Sequence, residues 1–230
     1  MTFDKIRDKD LTFYLVVYKD YERARWCMTN LRRHYPTARV VIDVDGDDDE
    51  RWATLRDDFK LDLEYGERLF LLEHGGAIVK RMLERVTQDP THRRWIFRID
   101  TDTDIRRRFR SLPGWDYFGT YHPGRNFVQG GCIGLTRNVC DRILQSGCLD
   151  RKELATNPDL WRSDVGAAEG RVGKYGLVSL DWLVNWSMNQ VNVKGHDFNE
   201  VISTWKDPVP EFRDCAVAHP CKKIKVHRPI

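Results

Sequence analysis

Hydrophobic residues along this chain come in two rhythms. Short continuous runs of apolar and β-branched residues, "TFYLVVY" (12–18), "RVVIDVD" (39–45) and "RWIFRID" (94–100), have the length and make-up of strands buried on both faces. Between them, apolar residues recur at helical intervals. In "YERARWCMTNLRRHYP", Trp26, Leu31 and Tyr35 are spaced for a helix that Pro36 stops. In "HGGAIVKRMLERVTQDP" (74–90), Ile78, Val79, Met82, Leu83 and Val86 share one face of an amphipathic helix. Strand, helix and strand within about 33 residues make one βαβ unit, a parallel pair joined by a right-handed crossover. "ERWATLRDDF" predicts a short helix and "LDLEY" a short strand. The alternation up to residue 104 predicts an α/β fold, a mostly parallel central sheet flanked by helices.

The second half changes character. "DYFGTYH" and "GGCIGLT" read as shorter strands, and "TRNVCDRILQSG" as a helix capped by Thr136 and closed by Gly147. Residues 150–176 read as a glycine-rich loop. "SLDWLVNWSMNQ" is a helix that Ser179 could cap, with Asp181 in its first turn; "VNVKGHDF" is a last strand, and "AVAHPCKKIKVHRPI" reads as an irregular, basic end.

Composition narrows the function classes. At 230 residues with 32% charged residues and a net charge of +3, the surface carries both signs densely. A chain of this size buries roughly 70% of its unfolded surface, enough for a real core. It reads as one domain over 1–230. No large basic face points to nucleic acid, although Arg106-Arg107-Arg108 and Lys222-Lys223-Lys225 are local basic spots, the latter offering peripheral contact with a membrane surface. The six cysteines form no C-x-x-C pair and read as reduced, mostly buried thiols. The start lacks the apolar core of a signal peptide, and no apolar run approaches the ~20 residues of a membrane span. The expectation is a soluble, cytoplasmic protein.

The candidate chemistry lies in the aspartates. Asp43, Asp45, Asp47, Asp48 and Asp49 cluster after the second strand, but the glycine and the final ligand are misplaced for an EF-hand. A solvated acidic loop is the alternative. Asp100, Asp102 and Asp104 follow "RWIF" on alternate positions, so Asp100 and Asp102 face one side if the strand continues. At an effective dielectric near 20, like charges ~4 Å apart repel by roughly 4 kcal/mol, a burden that a divalent cation reverses. The carboxyl ends of parallel strands are where α/β sheets bind ligands. Oxygen ligands there suit Mn2+ or Mg2+ bridging to a diphosphate.

"IDTDTD" after a hydrophobic strand resembles the D-x-D motif of nucleotide-sugar-dependent glycosyltransferases of the GT-A fold. The likeness extends in element order over roughly residues 11–225. It implies a Rossmann-like GT-A fold whose residues 1–104 form the nucleotide-binding half and 105–230 the half that completes the metal site and receives the acceptor. Tyr18 would meet the base and Asp43 or Asp45 the base or ribose. Asp100 would sit near the ribose and the metal, Asp102 would ligate the metal, and Asp104 would be spare. "FVQGGCIGLTR" resembles the segment lining the donor sugar, where Gly130-Gly131 lets a sugar approach the backbone; a tight turn or bulge is the other reading of these glycines. His219 resembles the late histidine of the metal site, with Lys222 or Lys223 meeting the diphosphate. "SLDWL" resembles the catalytic acid motif of inverting members, making Asp181 the base, although Leu180 stands where a second acid is usual. Asp181 could also simply complement the helix dipole, and Asp164 and Glu169 are fallback bases.

The resemblance implies transfer of a sugar from a nucleoside-diphosphate sugar, UDP favoured, to a hydroxyl acceptor such as a glycan, with inversion. Closure of the 150–176 loop would exclude water. Retention, a sugar nucleotidyltransferase and a non-enzymatic acidic interaction module stand as alternatives; against the second, "YKDYERAR" after the first strand lacks the glycine-rich phosphate loop.

Overall fold

The computed structural model describes residues 6–69, 75–123, 127–150, 180–204, 210–211 and 213–220. Its centre is a seven-stranded sheet in the order β3-β2-β1-β4-β9-β6-β10. These strands are β1 (Leu11–Val17), β2 (Arg39–Asp45), β3 (Asp62–Gly66), β4 (Trp95–Ile99), β6 (Tyr117–Gly119), β9 (Cys132–Thr136) and β10 (His196–Asp197). β1, β2, β3 and β4 run parallel, as do β6 and β10; β9 alone is antiparallel to its neighbours β4 and β6. The α/β class and the mostly parallel sheet expected from the alternation of patterns are what the chain forms.

Five helices cover the two faces among the described residues. α1 (Tyr21–His34) and α2 (Arg51–Phe59) pack on one face, where Phe13, Leu15 and Val17 of β1 and Val40, Ile42 and Val44 of β2 meet Met28, Leu31 and Trp52. α3 (Gly75–Thr87), α4 (Arg137–Ser146) and α5 (Leu180–Gln190) pack on the other, against Tyr14, Val41, Ile96, Ile133 and Leu135. The alternation of side chains along a strand explains why the two clusters draw on odd and even positions of the same strands. Ile78, Val79, Met82, Leu83 and Val86 are all buried in the second cluster, as the periodicity of α3 requires. α4 begins at Thr136, whose hydroxyl accepts from the Val139 N–H, and Gly147 follows its end in the left-handed region.

Two smaller sheets also form among the described residues. β5 (Asp104–Ile105) pairs antiparallel with β12 (Val217–His219), which pairs parallel with β11 (Val201–Ser203). β7 (Tyr121–His122) and β8 (Phe127–Val128) form an antiparallel pair. Here sequence patterns were less informative. "AVAH", expected as irregular, is strand β12, β11 had no distinct signature, and the strand expected over 191–198 shrinks to the two residues of β10. Strands this short depend on pairing partners far along the chain, which no local pattern reports. Cys27, Cys132, Cys140 and Cys215 are buried free thiols and Cys148 is half-buried; Cys221 lies outside the described residues. Among the described residues, no helix is long and apolar enough to cross a membrane.

Candidate metal centre

The strand order 3-2-1-4 turns about the boundary between β1 and β4: connections from β1 build outward on one side and from β4 on the other. Ligands of open α/β sheets bind outside the carboxyl ends of the strands at this switch point. Asp100 is the first residue beyond β4 there. The strand does not continue through the aspartates. The chain turns instead, with the Thr103 N–H donating to the Asp100 carbonyl at 3.1 Å. The Asp100 N–H donates to the Gly131 carbonyl at 3.1 Å, and the buried Thr103 hydroxyl donates to the same carbonyl at 2.7 Å. Asp100 and Asp102 therefore share a site because a stapled turn brings them together, not because a strand alternates.

The rest of the site arrives through tertiary pairing. β5 starts immediately after the turn, and its pairing with β12 sets Asp104 opposite Ala218, which carries His219 back to the aspartates. His219 Nε2 lies 3.1 Å from Asp102 Oδ1 and 3.4 Å from Asp100 Oδ2. One ligand-type atom from each of the three falls within 4.8 Å of the others. From the opposite side, Arg98 reaches out of β4 with only 7% of its surface exposed. Its Nη2 lies 2.6 Å from Asp100 Oδ1 and its Nη1 3.2 Å from Asp181 Oδ1, on the first turn of α5.

The two adjacent glycines admit these side chains. A Cβ on Gly130 would lie 1.8 Å from Asp181 Oδ2, and one on Gly131, whose φ is +93°, would lie 2.1 Å from the His219 ring. The space that Gly130 and Gly131 clear is taken by a carboxylate and an imidazole of the chain itself, where a sugar was expected.

The electrostatics follow from this packing. Burial works against ionisation of Asp102, but the hydrogen bond and charge of His219 hold its carboxyl below the ordinary value. Burial favours neutral His219, yet the bond to Asp102 and the charges of Asp100 and Asp102 lift its pKa above that of a free imidazole. Asp181 moves the other way: burial raises its pKa, and so does Asp100, against the pull of Arg98 and His219. Among the described residues, three carboxylates thus stand around one arginine in ion-pair contact, Arg98, with the charge of Arg23 acting on Asp102 from farther off. Two carboxylates and an imidazole are a donor set that Mn2+ accepts and Mg2+ tolerates, and a dication balances the remaining charge, so the residues fit such an ion.

The other expected residues lie elsewhere. Tyr18, just past β1, is 38% exposed, and the Arg68 guanidinium sits 3.4 Å from its ring centroid. Asp43 and Asp45 are fully buried and committed: Asp43 to Arg81 at 2.8 Å, Arg85 at 2.5 Å and the Tyr14 hydroxyl at 2.5 Å, Asp45 to Arg68 at 2.6 Å and Arg81 at 3.0 Å. Neither a solvated loop nor an open ligand site describes those two. Asp104 pairs with Arg106 at 3.1 Å and stays out of the cluster. Lys222 and Lys223, the fallback bases Asp164 and Glu169, Ser179, and all but the first residue of the 150–176 loop lie outside the described residues. Sequence reading missed Arg98, although a charge inside the run Trp95–Ile99 was a visible signal. It also missed Asp20, whose carboxylate accepts from the Thr101 hydroxyl at 2.5 Å across the switch point. A surface cleft of about 450 Å3 near the end of α5, lined by Tyr121, Asn189 and Lys194 among others, shares no residue with the cluster. Compared with known proteins, the sequence matches no family model and no curated protein.

Proposed function

We propose that this protein is a metal-dependent glycosyltransferase of the GT-A type, moving a sugar from a nucleoside-diphosphate sugar, UDP favoured, to an acceptor hydroxyl with inversion. The observation that carries this reading is the convergence of Asp100, Asp102 and His219 at the switch point of the sheet, with Asp181 tied to the same cluster through Arg98. A structural ion-pair network needs no such surplus of carboxylates, whereas a site for a dication and a diphosphate does.

On this reading Asp100, Asp102 and His219 would hold Mn2+ or Mg2+, which when bound neutralises the charge that develops on a departing diphosphate. Asp181 would take the proton from the acceptor hydroxyl. Burial raises its affinity for that proton above that of a free aspartate, which suits a general base whose task is typically worth ~10²–10⁴ in rate. Gly130 leaves the room that lets its carboxylate stand there. Tyr18, exposed at the end of β1 with Arg68 against its ring, offers a face on which a base could stack. Asp43 and Asp45 are saturated by arginine, so recognition of the nucleoside would fall to other groups around Tyr18.

The test is a donor screen by hydrolysis and transfer with Mn2+ present, on wild type, Asp102→Ala and Asp181→Asn, beside calorimetry of UDP with and without Mn2+. Metal-dependent nucleotide affinity, lost in Asp102→Ala, together with turnover lost in Asp181→Asn, is expected. Nucleotide binding that ignores the metal, or donor turnover that survives Asp102→Ala, overturns the reading.

A further inference from the structure

Arg98 is the fourth of the five residues of an otherwise apolar strand, in register with Tyr14 of β1 and Ile133 of β9. A guanidinium this buried is costly unless its charge is matched. Its two matching carboxylates come from elements far apart in sequence: Asp100 on the turn after β4, and Asp181 at the start of α5. The planar fork of arginine can serve both at once, which a lysine's point charge cannot.

Asp100 is contested. Its Oδ1 lies 2.6 Å from Arg98, while its Oδ2 faces His219 at 3.4 Å, on the side of the three-residue cluster. Any cation held by that cluster competes with Arg98 for the charge of one carboxylate. How hard Arg98 competes depends on its other partner. With Asp181 ionised, the guanidinium divides its attraction; with Asp181 neutral, Asp100 is the one carboxylate among the described residues left in ion-pair contact with it.

We propose that Arg98 is a positioning residue that couples the Asp100–Asp102–His219 cluster to Asp181, so that cation binding at the cluster and the fixing of Asp181 by Arg98 favour one another. The inference rests on the metal reading of the cluster given above and adds a direction to it. Coupling free energies are reciprocal. A site loaded with its cation leaves Arg98 free to orient Asp181, and an ionised, oriented Asp181 makes the cluster a better cation site. The base would then be held in place when the cation that accompanies a donor is present, and less firmly when it is absent.

The experiment uses Mn2+ alone, titrated into the full chain without nucleotide and followed by calorimetry. The proteins are wild type, Asp181→Asn, Arg98→Met and the double variant. Asp181→Asn, although it touches no proposed ligand directly, is expected to weaken Mn2+ binding about 5-fold or more, the lower end of typical coupling between sites. Arg98→Met is expected to tighten it, since a competing cation is gone, and in that background Asp181→Asn is expected to change affinity less than about 2-fold. Equal effects of Asp181→Asn in both backgrounds overturn the coupling while leaving the metal site standing. Wild type that takes up no Mn2+ removes the metal reading and this inference together. Should Arg98→Met fail to fold, as a thermal melt would reveal, Asp181→Asn by itself still decides against the proposal if its Mn2+ affinity equals that of wild type.

Discussion

The chain writes nearly the same sentence twice: Ile42-Asp43-Val44-Asp45 at the end of β2 and Ile99-Asp100-Thr101-Asp102 at the end of β4. Both lie at the carboxyl ends of the parallel strands that flank β1, and the outcomes are opposite. β2 continues through its aspartates, so the alternation of a strand sends both carboxylates to the α3 face. There Arg81 and Arg85, one helical turn apart, and Arg68 neutralise them completely, and both are sealed from water. β4 stops one residue before its first aspartate, and the turn that follows leaves Asp100 and Asp102 partly exposed, facing a histidine, with one arginine among the described residues in ion-pair contact with Asp100 and shared with a third acid. Carboxylates that the chain neutralises itself are structure. Those it leaves in surplus are available for a ligand.

That contrast can be broken at four aspartates. The largest effect is expected from Asp43→Ala: it strands buried guanidinium groups, and removing one partner of such a pair typically costs 3–5 kcal/mol. Urea unfolding should show that loss, while Mn2+ affinity of the folded fraction stays at the wild-type level. A loss of Mn2+ binding there would mean the two acid pairs are one site. Asp102→Ala should do the reverse. Mn2+ affinity should fall by about 100-fold or more, beyond what changing a residue that merely supports a ligand costs, with a far smaller change in stability.

Asp89 extends the comparison to a third setting. It is buried after α3, accepts from the Thr91 N–H and hydroxyl and from Arg93, and these outweigh burial to hold its pKa down to about 2. A folded-state value below the ordinary 3.8 means that its stabilisation is complete above that ordinary value and is lost as pH falls toward 2. About 2 kcal/mol should disappear between pH 5 and pH 2 in denaturant titrations, and Asp89→Asn should flatten that part of the pH dependence. An unchanged slope in the variant would assign the acid sensitivity to other groups. The smallest effect is expected at Asp104, the third aspartate of "IDTDTD". Asp104→Ala breaks one ion pair with Arg106 and should cost about 1 kcal/mol, with no change in Mn2+ affinity. A marked drop in affinity would make Asp104 a ligand.

Much of the frame was legible because its signals are local. β2 was readable to the residue from its β-branched run, α3 from its five-residue apolar face, and α4 from Thr136 and Gly147, since strand burial, helix periodicity and capping each depend on residues within a turn or two of one another. The candidate site was legible in part, since Asp43 and Asp45 of the expected set are buried in ion pairs elsewhere. Asp100, Asp102, His219, Asp181 and the Gly130-Gly131 pair all meet. Its wiring was not. Nothing in "RWIFRID" says that Arg98 reaches a helix 83 residues later, and nothing in "VIDVD" says that an arginine 38 residues later closes off Asp43.

By itself, the sequence determined the alternation of strands and helices, the parallel sheet that this alternation requires, and the presence of acids where such a sheet ends. The tertiary structure decided which of those acids are spent on the fold and which are left over. The reason is physical: backbone conformation answers to neighbouring residues, but a carboxylate's availability depends on the charges that surround it in space, and those are delivered by distant segments that only folding brings together.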